Sequence, residues 1–181
     1  MTFPSFSSGE VLRAQDMNAV GLWLVKTQTI GTGVSSVTVN NAFSADYANY
    51  RVIVDGGTQS SANSILVMNM TASGTASSAN YYGTFPFTAY SGSAFTIVNT
   101  NNGTGWPYVA MSLNSGLSGG FDVYQPFIAG KTSFGGFSNR GDISGFVSGY
   151  HNVSTAYDGF SLTINAGTMT GGTIRVYGYR N

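Results

Sequence analysis

Side chains suited to acid–base or nucleophilic chemistry are few in this chain. His151 is the single histidine, so a metal site built on paired imidazoles is ruled out. Asp142 and Asp158 flank it in sequence and serines abound, which leaves a Ser-His-Asp arrangement open by counting alone. No nucleophile-elbow motif supports one: in Gly145-Phe146-Val147-Ser148-Gly149 the serine falls one place late. His151 therefore reads as an ordinary strand-end or loop residue. Acid pairs for glycoside hydrolysis fare no better. The sole glutamate, Glu10, falls in an N-terminal helical segment, and Asp46, Asp55, Asp122, Asp142 and Asp158 stand singly, mostly at turn positions. Two of them would have to converge from distant parts of the chain to make a catalytic pair, and they do not cluster as a calcium loop. No catalytic residue, metal or cofactor is assigned.

Aromatic residues, 14% of the chain, are the class best able to carry a function, and they would do so by binding. Tyr81, Tyr82, Phe85, Phe87 and Tyr90 crowd one stretch, and Trp106 and Tyr108 follow a Gly/Asn loop. Tyr and Trp beside Asn and Asp can stack on sugar rings and hydrogen-bond hydroxyls. The plainer alternative is core and inter-subunit packing. Tyr81, Tyr82, Tyr90, Trp106 and Tyr108 are the candidates for glycan contact. Arg140-Gly141-Asp142 spells the integrin tripeptide, but Asn139 to Asp142 is also good turn chemistry. Sequons at Asn69, Asn102 and Asn152 are expected by chance in so Asn- and Thr-rich a chain.

Charge is sparse, 8% of residues against about 25% in an average soluble domain, and the formal net charge is zero. Seven Lys and Arg over 181 residues cannot neutralise many phosphates, which argues against a nucleic-acid surface. A lone domain usually needs surface charge for solubility, so the composition points to a permanent oligomer or a larger particle. There is no cysteine, hence no disulfide framework. No apolar run approaches the roughly 20 residues that cross a bilayer. The start MTFPSFSSGE lacks the basic-then-apolar pattern of a Sec signal, which fits assembly in a cytoplasm and release by lysis.

These residues must be positioned by an all-β body behind a short helical arm. From Phe3 to Val25 the apolar residues Val11, Leu12, Ala14, Met17, Ala19, Val20 and Leu24 recur at helical spacing. The helix starts either at Ser8 or nearer Arg13, and Gly21 ends or loosens it. Beyond it, strands follow at spacings near ten residues with Gly, Asn, Ser or Pro between them. YRVIVD (50–55) alternates, and ILVMNM (65–70) is apolar on both faces, as in a central strand. Further strands are expected at 22–30, 34–39, 82–88, 94–99, 108–113, 121–128, 132–137, 145–150, 159–164 and 173–179, with loops at 100–105 and 115–120. That pattern suits a jelly-roll-like β-sandwich. The division is an attachment arm over 1–25, with Phe6, Val11, Leu12, Met17 and Val20 as its contact residues, and a sandwich over 26–181.

Three stretches resemble one family. Phe6-Ser7-Ser8-Gly9-Glu10-Val11-Leu12-Arg13-Ala14-Gln15-Asp16-Met17-Asn18 is similar to the "G-x-x-L-T-A-x-x-M-N" start of tailed-bacteriophage tail and fibre proteins, with Arg13 where that group has a capping Thr. Tyr47 to Val54 resembles its "Y-D-N-Y-R-I-V-I" strand, and the ending Gly167 to Arg180 its "G-G-T-I-R-V-Y-G-Y" close. The resemblance implies a virion structural protein: a homotrimer docked on other phage structural proteins by its N-terminal segment, its β body projecting toward the host surface and its glycans. It brings no catalytic residues, cofactor or membrane insertion. A capsid decoration protein or head fibre is the alternative, and a carbohydrate-active enzyme the distant one.

Overall fold

The computed structural model describes residues 9, 21–113 and 116–180. Among them there are fifteen strands and no helix. In chain order they are β1 (Leu22–Thr29), β2 (Ser36–Val39), β3 (Asn49–Gly56), β4 (Thr58–Gln59), β5 (Ile65–Ala72), β6 (Thr75–Ala76), β7 (Tyr81–Ala89), β8 (Phe95–Gly103), β9 (Trp106–Leu113) and β10 (Gly116–Tyr124). There follow β11 (Gly130–Asn139), β12 (Ile143–Thr155), β13 (Gly159–Ile164), β14 (Met169–Thr170) and β15 (Thr173–Tyr179). The expected arm residues Phe6, Val11, Leu12, Met17 and Val20 lie outside the described residues, and the helix with them. Residues 22–25, assigned above to the arm, are part of β1, and Leu22, Trp23 and Leu24 pair with β15.

Every pairing is antiparallel, and β10 is where the body divides. One edge of β10 pairs with β3 from Leu117 to Tyr124. The other pairs first with β9, through Gly116–Ser118, and then with β11, through Gly120–Tyr124. Two layers diverge from this fork. The larger runs β1-β15-β3-β10-β11-β12-β7-β8 and the smaller β2-β13-β5-β9. Gly119 stands at the fork, where a Cβ would collide with the Ala110 backbone. No other residue type lets two backbones approach so closely.

The core fills the space between the layers by period-two alternation. Tyr50, Val52 and Val54 of β3, with Ile174 and Val176 of β15, face inward and are buried. From the smaller layer come Leu66, Met68 and Met70 of β5 and Phe160 and Leu162 of β13, all fully buried. Phe43 joins the layers at one end, 4.8 Å edge-on from Tyr50 and 5.7 Å from Phe160. Trp106 of β9 joins them further along, 4.4 Å from Phe134 of β11. Each such large side chain contributes roughly 1.5–3 kcal/mol through its burial.

Most expected strands stand where the alternation put them, including central β5 between β13 and β9. Two loops do not. Residues 116–120 are the first half of β10, and β8 continues through Asn99 to Gly103. In both places the ladder hydrogen bonds of neighbouring strands hold a Gly- or Asn-rich sequence extended, overriding local turn preference.

The two ends of the body differ. At one, Leu22 pairs with Tyr179 and the Arg180 amide donates to the Gly21 carbonyl at 3.3 Å, so the segment before residue 21 joins here. At the other lie the β7–β8 and β11–β12 turns and the loop before β5.

Candidate functional site

His151 sits on the inward face of β12 and is fully buried. Its Nε2 lies 2.9 Å from the Ala79 carbonyl, which can only accept, so Nε2 carries the proton. Nδ1 then accepts from the Tyr157 hydroxyl at 3.1 Å. Ser77 Oγ is 3.1 Å from the same Nε2, but a protonated nitrogen offers it no lone pair and cannot act as its base. Burial pushes the His151 pKa below its ordinary value, holding the ring neutral. The geometry makes it a core histidine with its polar atoms satisfied.

The tyrosine and tryptophan candidates divide by face. Tyr81 and Trp106 are fully buried, which corrects the expectation that they offer their rings to a ligand. Their rings meet edge-on at 5.0 Å, and the Trp106 indole donates to the Tyr82 carbonyl at 3.3 Å. The Tyr81 hydroxyl donates to Ser77 O and accepts from the Met70 amide at 2.8 Å. Burial is the main reason its pKa is pushed up to about 12. Gly83 and Gly149, paired across β7 and β12, leave the floor on which Trp106 and Phe134 rest. Tyr108 is half-buried and stacks on Phe85 at 4.5 Å. It holds φ +65° where β9 shifts register against β5, a strained conformation for a bulky residue. These three side chains are packing.

Tyr82 lies on the opposite, outward face of β7. It stacks on Tyr150 of β12 with centroids 5.0 Å apart and planes 10° apart, and Lys131 stands 5.5 Å over the Tyr150 ring. The two rings turn their faces to each other, as neighbours on adjacent strands do.

Tyr90 alone of the five is well exposed, at 63%. It follows β7 in the turn at the end opposite Gly21, and its amide donates to Asp142 O at 2.9 Å. Beside it the Arg140-Gly141-Asp142 turn closes on itself. Arg140 Nη2 donates to Asp142 Oδ2 at 2.8 Å and Nη1 to the Asn63 carbonyl at 3.3 Å. The hydrogen bonds from Arg140 hold the Asp142 carboxyl below its usual range. The two charges pair with each other, as turn chemistry requires. Tyr90, Asn63 and this ion pair form a patch contributed by three loops.

Sequence reasoning missed the outward face of the larger sheet. Phe137 of β11 and Phe146 of β12 pair directly across the strands and are 56% and 51% exposed. Ile97 of β8 continues the row through Pro86 of β7. Alternation in β11 and β12, with Thr132, Phe134, Val147 and His151 inward, is the signal that would have placed these phenyl groups outward. At the Gly21 end, Ser44 to Ala48, Phe127 and Ile128 line an open cleft of about 260 Å³. Among the described residues no group of three His, Cys, Asp or Glu is placed to hold a metal, and no helix is long and apolar enough to cross a membrane.

No protein-family model and no curated protein matches this chain. Among solved structures it is similar to the CBM2 module of the evolved Dit of Lactobacillus casei BL23 phage J-1. That match has a TM-score of 0.25 and 9% identity, and covers 81% of this chain and 69% of that one. A likeness of that size carries no argument about function.

Proposed function

We propose that this chain is a non-enzymatic structural protein of a tailed-phage particle, a tail-associated fibre or tip protein held by its N-terminal segment and touching the host surface, its glycans included. Homotrimeric assembly belongs to the same reading. The observation that carries it is polarity: the chain enters the body beside Tyr179, while Tyr90 and the Arg140–Asp142 pair stand at the opposite end. A body attached at the first end presents the second outward.

Two features support the reading. The interior and closing stretches that resemble phage tail proteins are β3 and β15, adjacent strands with Arg51 opposite Tyr177. The strand order also fits a jelly roll. Setting aside the short strands, β1, β15 and the β11–β12 hairpin, eight strands remain. The smaller layer takes the first, eighth, third and sixth of them, and the larger the second, seventh, fourth and fifth. That is the order of two nested Greek keys, with one hairpin inserted.

Cryo-electron microscopy of the intact particle tests the location. Density for this chain at the tail tip or baseplate, with Tyr90 outermost, is the expected result. Density on the capsid lattice would make it a decoration protein instead. Tyr90→Ala in the particle should leave incorporation unchanged and reduce adsorption to host cells; undiminished adsorption would remove the far-end patch from the reading.

A further inference from the structure

We propose that the outward face of the larger sheet is the surface through which copies of this chain associate. Of the eleven large apolar side chains exposed among the described residues, eight lie on this face. They extend from Leu22 and Leu24 on β1, at one margin, to Phe95 and Ile97 on β8, at the other. The outward side of the smaller layer has none of the eleven and offers Ser36 and Thr38 on β2. Monomeric soluble domains rarely leave so wide an apolar face to water.

Glycines lower the relief of its middle. Gly120 and Gly135 occupy outward positions, and the Phe146 ring lies down over Gly135, its Cζ 3.3 Å from where a Cβ would be. Arg51 Nη2 lies 3.5 Å from the corresponding point on Gly120. Four of the five charges on the face are paired within it, and the fifth, Lys131, stands over the Tyr150 ring. Arg51 meets Asp122 at 3.3 Å, the Tyr179 hydroxyl donates to Asp122 at 2.7 Å, and Arg175 meets Asp55 at 3.6 Å. Paired charges can be covered at lower cost than single ones.

Size selects the occupant. Eight strands about 4.8 Å apart and about eight residues long span roughly 34 by 26 Å. That footprint, about 880 Å², is on the scale of the roughly 800 Å² per partner of a standard protein interface. A glycan chain would cover one track and leave either Leu24 or Phe95 wet, whereas a second copy matches the extent of the face. Association on this side leaves both ends of the body free. The inference deepens the oligomeric part of the reading above but does not depend on the particle.

The test uses the purified full chain, which has no cysteine of its own. Light scattering should give a multiple of the 18.9 kDa chain mass. Combining Phe137→Ser with Phe146→Ser should shift it toward one chain while the far-ultraviolet β spectrum is kept. Separately, Thr88→Cys, outward on β7, should react with a maleimide several-fold more slowly than Thr38→Cys on the smaller layer. The cysteine comparison decides the matter even if the double variant fails to fold. A monomeric chain, or a multimer in which Thr88→Cys reacts as fast as Thr38→Cys, overturns the proposal. So does a monomer protected at Thr88→Cys only by added host cell-wall polysaccharide, which would make the face a glycan platform. A protected multimer that is absent from particles would sink the virion reading and leave this inference standing.

Discussion

The Tyr157 hydroxyl donates to Nδ1 of His151 across 3.1 Å in the buried interior, where burial favours the neutral ring that can accept this bond. The consequence for pH has a definite sign. In the unfolded chain His151 titrates near 6.5, while burial lowers its pKa in the fold. Below about pH 6.5 the unfolded state therefore binds a proton that the folded state refuses. Stability is full above that pH, falls as pH drops through the window, and levels off below the lowered folded value. Denaturant midpoints measured from pH 8 to 5 should show the fall, and His151→Gln should flatten it. An unchanged slope in the variant would assign the pH dependence elsewhere.

Trp106→Ala should behave as a core mutation. The indole is fully buried between Tyr81 and Phe134, and truncating such a residue costs about 3–5 kcal/mol. Equilibrium unfolding should show that loss. A cost within about 0.5 kcal/mol, the range of ordinary surface changes, would contradict the placement.

Thr132→Val should be neutral or stabilising. Thr132 is buried opposite His151, and its hydroxyl has no hydrogen-bond partner. Exchanging it for a methyl group removes a desolvation cost of about 1–3 kcal/mol. A fall in the unfolding midpoint would show that the hydroxyl is satisfied in solution.

Gly149→Ala should destabilise by about 1–3 kcal/mol, as overpacking does. A Cβ there would run into the Tyr82 carbonyl and press on the Phe134 ring. Thermal unfolding measures the effect, and tolerance would mean that β7 and β12 can separate cheaply.

Much of the strand set was legible because alternation is a local property. Tyr50, Val52 and Val54 declare an inward face within six residues, and Ile174 and Val176 do the same for β15. Tyr81 and Tyr82 show where that legibility stops. They are the same residue type one position apart, yet β7 puts one in the core against His151 and the other on the surface against Tyr150. The neighbours Gly83 and Phe85 carried that signal; aromatic crowding obscured it. The strand at 116–120 was not legible at all, since Gly and Ser there are held extended by β9 on one edge and by β3, far away in sequence, on the other.

By itself, the sequence determined the all-β class, the sparse charge, and the poverty of catalytic groups, because composition and period two need no partner strand. Only the tertiary structure decided that Trp106 is buried, that Tyr90 stands at the end opposite Gly21, and that Phe137 and Phe146 share an outward face with Leu24. Those facts depend on which strands lie side by side, and pairing across a hundred residues or more is settled by packing and the hydrogen-bond ladder, to which each strand contributes only half of the information.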